Sequence, residues 1–132
     1  MKAWQTSHRA ISLEKTLVMA ILNVTPDSFS DGGRFFSETE ALKQAEKLIG
    51  EGADILDIGG ESTRPDSQKI SADEEIRRVV PVIKAISERF DIPVSIDTSK
   101  SEVAEKAVEA SAEIINDVSG LTFDEKIGEI AA

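Results

Sequence analysis

An alternating cadence constrains this chain more than any other feature. Four short aliphatic runs, Leu17–Leu22, Asp54–Ile58, Ile92–Ile96 and Glu113–Ile115, are separated by longer stretches with helical apolar spacing. Each run is too short for a helix, is rich in isoleucine, valine or leucine and is bounded by polar residues or glycine, so each reads as a buried parallel strand. Between the second and third runs, Ile76, Val79, Val80, Ile83 and Ile86 recur at three- and four-residue spacing and line one helix face.

The helix starts repeat as well. Ser37…Glu40, Ser71…Glu74, Ser99…Glu102 and Thr122…Glu125 all fit S/T-x-x-E, in which hydroxyl and acid satisfy each other's free N–H groups. Gly50 and Gly52 are placed to stop the first helix. Pro81 falls inside the second helical pattern and is expected to kink that helix or end it early.

The order βαβαβαβα, with right-handed crossovers, gives an α/β fold whose parallel sheet is covered by helices. An open sheet and a (β/α)8 barrel both satisfy it. A TIM barrel takes about 250 residues, and these 132 hold four βα units. The expected fold is therefore the first (β/α)4 half of a TIM (β/α)8 barrel. Its last helical pattern begins near Asp124 and stops at Ala132 without a cap, as a cut chain would. Residues 1–16 are a leader segment, in which "AISL" is expected to add a strand or a plug.

The formal charge of −10 gives no field to attract nucleic acid or an anionic membrane. No run approaches the ~18 apolar residues of a membrane span, and the N-terminus has no signal-peptide core. A cytoplasmic protein is expected. The absence of cysteine removes disulfides and thiolate metal sites.

Chemistry is expected where the strands end. The runs close on Asn23, Asp57, Asp97 and Asn116, and the C-terminal ends of parallel strands meet at one face, where ligands bind. Such residues either converge on a ligand or buttress the following loops. Asp and Asn together offer donors and acceptors suited to the edge of a flat nitrogen heterocycle. A hard cation such as Mg²⁺, taking few side-chain oxygens and substrate phosphates, would suit Asn23. In "DIGGESTRPDS", Gly59 and Gly60 allow close backbone approach, and Thr63 and Arg64 offer a hydroxyl and a guanidinium. Arg64 either binds an anion or pairs with Glu61 or Asp66. Phe29, apolar in a polar loop, either plugs a core edge or covers a ligand. His8 reads as a surface residue, and Trp4 and Phe90 as packing residues.

These stretches bear a close resemblance to one family. "ILNVTPDSFSDGG" and "DILDIGGESTRPDS" resemble two signatures of dihydropteroate synthase, and "PVSIDTSK" and "EIINDVSG" resemble its third and fourth strands. The resemblance implies a (β/α)8 barrel that joins 6-hydroxymethyl-7,8-dihydropterin diphosphate to p-aminobenzoate and releases pyrophosphate, the folate step blocked by sulfonamides. It implies Asn23 as a magnesium ligand and Asp97 and Asn116 as partners of the pterin edge, with Asp57 in the same network. It further implies Thr63 and Arg64 as contacts of substrate and diphosphate, Phe29 and Pro65 as walls of the p-aminobenzoate pocket, and Asp31 as a first-loop acid. Asp97, Arg64 and Asp31 are the expected catalytic residues.

The family's second half brings a further Asp, a Lys and an Arg-x-His pair, so the 132-residue chain is expected to be incomplete alone. Its open strand edges suggest a homodimer or pairing with a second half-barrel. The alternatives are a non-catalytic pterin-binding or assembly module and a pterin-binding methyltransferase domain, against which "TPDSFSDGG" argues.

Overall fold

The structure, a computed structural model, describes residues 2–24, 38–61 and 69–132. It opens with an antiparallel hairpin, β1 (Ala3–Gln5) and β2 (Ala10–Ser12). There follow β3 (Met19–Asn23), α1 (Glu38–Gly50), β4 (Ile55–Gly59), α2 (Ala72–Arg89), β5 (Val94–Asp97), α3 (Ser101–Glu109), β6 (Ile114–Asn116) and α4 (Lys126–Ala131). β3 to β6 pair in chain order, all parallel.

Each of β3 to β6 begins one or two residues inside its apolar run and continues one residue beyond it. Ladder hydrogen bonds do not depend on side-chain polarity, so pairing carries through the polar residue that closes the run. Alternation then sorts the side chains. Leu22, Ile58, Ile96 and Ile115 share a register row and pack against the helices together with Val79, Val82, Ile83, Ile86, Val103 and Ala107. Burying each large aliphatic side chain in this layer contributes about 1.5–3 kcal/mol. β4, flanked on both sides, is buried at every position.

The other face carries Ile55 and Ile114 near its base. Ile11 of the hairpin packs on them with Leu17, so "AISL" is both a strand and a plug. Polar ties hold the hairpin: Thr6 Oγ1 donates to Glu113 Oε1 at 2.6 Å, and Arg9 reaches Glu113 at 3.1 Å and Asp91 at 2.9 Å. His8 is at the surface, as expected, 3.8 Å from Glu113. Phe90 packs against the core. Trp4 does not: it is 40% exposed, in a groove with Val108 and Ile130.

Pro81 neither ends α2 nor interrupts its buried stripe. It lies on the solvent side, where the carbonyl that loses its partner can be hydrated. Only one of the described capping signals works locally. Ser71 Oγ accepts from Glu74 N at 3.1 Å, while Glu74 turns to Arg77 and Arg78 instead of closing the box. Ser71→Ala should cost about 1 kcal/mol in denaturant unfolding. At α3 and α4 neither Ser99 nor Thr122 is the cap. Asp124 serves both, accepting from Ser101 N at 2.8 Å and Lys126 N at 3.1 Å. Ser37 lies outside the described residues. α1 does stop at Gly50, and Gly52 follows at φ +110°.

Candidate active site

Register places Asn23, Gly59, Asp97 and Asn116 in one row across all four strands, at their C-terminal ends. The row faces away from the helices, because the adjacent residues Leu22, Ile58, Ile96 and Ile115 face toward them. Gly59 makes a notch in it. A Cβ there would lie 3.5 Å from Asp97 Oδ2 and 3.6 Å from Asn23 Oδ1, so both side chains flank an opening that only glycine leaves clear. Those distances are ordinary contacts. Gly59→Ala should therefore keep the fold, with unfolding free energy within about 1 kcal/mol, yet weaken any flat ligand seated in the notch by about 10-fold in a direct titration.

Gly60 has a different role. A Cβ on it would meet Val79 Cγ1 at 2.9 Å and Glu75 Cγ at 3.3 Å, so this glycine lets the strand end press against α2.

Asp57 departs from expectation. It is not at a strand end but two residues below Gly59, in the row with Ser95, and 3% exposed. Side chains alternate along a strand, so it shares Gly59's face one layer down. Asn116 Nδ2 donates to its Oδ2 at 3.1 Å. Asp57 Oδ1 and Ser95 Oγ, both buried, form no hydrogen bond of ordinary geometry. Burial pushes the Asp57 carboxyl up, against the smaller pull of the polar groups of Ser95 and Asn116. Asp57 thus supports the floor and orients Asn116.

Asp97 sits above it with no described hydrogen-bond partner. Burial raises its pKa to about 6, helped by the negative fields of Asp57, Glu75 and Asp117. Asp117 is itself held low: hydrogen bonds from Ser119 and Leu121 outweigh its burial. A carboxylate so placed, beside a carboxamide on the same row, is complementary to a planar ligand with N–H donors or developing positive charge.

The structure therefore brings together Asn23, Asp97, Asn116 and, beneath them, Asp57. Phe29, Asp31, Thr63, Arg64 and Pro65 lie outside the described residues, as does Asp66. Glu61, one candidate partner of Arg64, instead faces Lys100, whose Nζ lies 3.3 Å from Glu61 Oε2, 2.7 Å from Glu75 Oε1 and 3.2 Å from the Ile70 carbonyl. Burial alone would lower the Lys100 pKa, but the carboxylates of Glu75 and Glu61 raise it overall. Sequence reasoning gave this lysine no role. The available signal was its position: Lys100 is the N-cap of α3, where a cation opposes the helix dipole unless carboxylates hold it.

Comparison with known proteins places the chain in a family. Residues 19–132 match the family described as Pterin binding enzyme. Dihydropteroate synthase of Clostridium beijerinckii is 57% identical over 119 residues, covering 90% of this chain and 44% of that protein. The Clostridium difficile synthase, solved in the presence of pteroic acid, superposes with a TM-score of 0.84 at 50% identity, over 89% of this chain and 44% of that one. The Xanthomonas albilineans synthase with 4-aminobenzoic acid gives a TM-score of 0.86 at 45% identity, over 94% and 46%. The chain spans less than half the length of the curated relatives it matches. Its four strands and their helices are the first (β/α)4 half of the TIM barrel those structures share. By sequence and by fold, this chain belongs to the pterin binding enzyme family.

Proposed function

We propose that the chain supplies the pterin and diphosphate side of a dihydropteroate synthase site, a transferase of folate biosynthesis and a target of sulfonamides. The observation that carries this reading is the row ending in Asp97 and Asn116 above buried Asp57, matched to relatives that hold pteroic and 4-aminobenzoic acids.

In this reading Asp97 and Asn116 take the N–H and carbonyl edge of the pterin, with Gly59 clearing space for the ring. The C–O bond of the hydroxymethyl diphosphate breaks, and pyrophosphate leaves with the bonding electrons. Asp97, ionised at neutral pH, stabilises the cation left on the pterin. Arg64 and Thr63 receive the departing pyrophosphate. The p-aminobenzoate amine, between Phe29 and Pro65, forms the new C–N bond and loses a proton. Asp31 is assigned to this acceptor side as the first-loop acid.

A magnesium ion fits this set only loosely held. Among the described residues no group of three or more His, Cys, Asp and Glu could bind a metal. The exposed Asn23 carboxamide, without a described partner, suits a cation that keeps most of its waters and takes phosphate oxygens. Asn23 would hold it, and when bound it would offset the charge of the leaving group.

No helix among the described residues is long and apolar enough to cross a membrane, and a cytoplasmic setting suits the reading. Among the described strands β3 and β6 each pair on one side only, which favours pairing with a second half-barrel or another copy. A second reading is a pterin-binding module that needs a partner half. The test is pyrophosphate release from the pterin diphosphate with Mg²⁺, with and without p-aminobenzoate. Release dependent on p-aminobenzoate supports the synthase, binding without release supports the module, and dependence on a methyl donor contradicts both.

A further inference from the structure

We propose that Ser95 is a positioning residue for the pterin edge: its hydroxyl donates to Asp57, which in turn holds the Asn116 amide that the ligand meets. The inference rests on the functional reading above, which gives Asn116 to the pterin.

Ser95 lies within β5, in a register row made of Ile21, Asp57, Ser95 and Ile114. The one other polar side chain in that row is Asp57 on the adjacent strand, and adjacent strands run about 4.8 Å apart. Ser95 is wholly buried and Asp57 is 3% exposed. Among the described residues, Asp57 Oδ1 and Ser95 Oγ are the strand-borne side-chain atoms that burial leaves without an ordinary hydrogen bond. A buried hydroxyl without a partner is destabilising, and alanine would fill an apolar row without that cost. A carboxylate at this depth needs several donors, and Asn116 Nδ2 supplies one, to Oδ2 at 3.1 Å. Each unmet requirement is answered by the other residue, because a serine hydroxyl hydrogen rotates to suit its acceptor.

The electrostatics point the same way. Burial pushes the Asp57 carboxyl up, and of the two groups that pull it down Ser95 is the stronger, ahead of Asn116. Asp97, two residues along β5, answers instead to its burial and to the charges of Asp57, Glu75 and Asp117. The Asp57 carboxyl is thus gripped at both oxygens, at Oδ1 from β5 and at Oδ2 from β6. A carboxyl held this way fixes the amide it accepts from. One Asn116 N–H is committed to the layer below, and its carbonyl and remaining N–H stay available to a ligand. An amide free to turn over would offer donor and acceptor in either order, so the grip sets the order that the row presents.

The test uses Ser95→Ala and Ser95→Cys. The Asp57 carboxyl is titrated by NMR, exchange of the Asn116 side-chain amide is followed in the same samples, and 6-hydroxymethyl-7,8-dihydropterin diphosphate is then titrated in. Ser95→Ala should move the Asp57 titration to higher pH, speed Asn116 amide exchange about 10-fold and weaken pterin binding about 10-fold, with the α2 and α3 backbone amides unshifted. Ser95→Cys keeps the volume but offers only a weak donor, so it should follow alanine. Serine-like binding by the cysteine variant means that filled space is what matters, and overturns the proposal. An Asp57 titration or an Asn116 exchange rate that Ser95→Ala leaves unchanged also overturns it. Asp97→Asn separates the two levels of argument. If it binds the pterin as the unmodified chain does, the functional reading fails, while titration and exchange still judge the link from Ser95 to Asn116. If it loses binding and Ser95→Ala keeps it, only the inference fails.

Discussion

Asp97→Asn should remove pterin binding while making the fold more stable at neutral pH. The two effects have one cause. Asp97 has a folded pKa of about 6, above its ordinary 3.8, chiefly from burial. The folded state therefore binds a proton more tightly than the unfolded chain. Stability falls as pH rises from about 4 to about 6, and above that window the whole penalty of the charge is present. Asparagine keeps the shape and removes the charge. Because Asp97 is only partly buried, screening reduces the gain at pH 7 to about 1 kcal/mol. Binding moves the other way. A carboxylate aimed at N–H donors or a developing cation is replaced by a neutral amide, and turnover of the pterin diphosphate in the complete site should drop by about 10²–10³-fold. In the unsubstituted protein, binding should fail as pH drops through about 6 and Asp97 takes up its proton. Chemical unfolding at pH 5 and 7, with ligand titration at the same values, checks both halves.

Lys100→Met should produce the largest loss of stability, about 3–5 kcal/mol. The substitution leaves Glu75, 1% exposed, as a buried charge without its ammonium partner, and frees the Ile70 carbonyl as well. Adding Glu75→Gln should recover most of the loss, because a neutral pair requires no charge compensation. Urea unfolding of the two variants measures this directly. Equal destabilisation in both would mean that packing of the lysine stem, and not its charge, is what matters here.

Some of this was open to reading from the sequence, for reasons particular residues make plain. Asn23, Asp97 and Asn116 each close an apolar run, and that contrast alone placed them at the strand ends that the register aligns. Asp57 was harder, because a strand that is buried on both faces shows no alternation to reveal depth; only pairing puts it one layer below the others. Ser71 caps its helix as its motif suggests, whereas Ser99 and Thr122 yield to Asp124, whose reach between two helices depends on their packing. Pro81 looked like a break because a proline removes a helix hydrogen bond wherever it sits; its exposed position lets water satisfy the freed carbonyl. The Lys100 contacts join residues 25 to 39 positions apart, beyond any local pattern. Their one local sign was a cation where a helix dipole disfavours it.

The most direct test of the central claim is an NMR titration of the isotope-labelled chain with 6-hydroxymethyl-7,8-dihydropterin diphosphate. The expected result is that the Gly59 amide and the Asn116 side-chain amide shift together and saturably, that Asp97→Asn abolishes those shifts, and that the hairpin signals of Ala3–Gln5 stay in place. Shifts centred on the hairpin, or Gly59 and Asn116 shifts that survive Asp97→Asn, would contradict the assignment of the strand-end row as the pterin site.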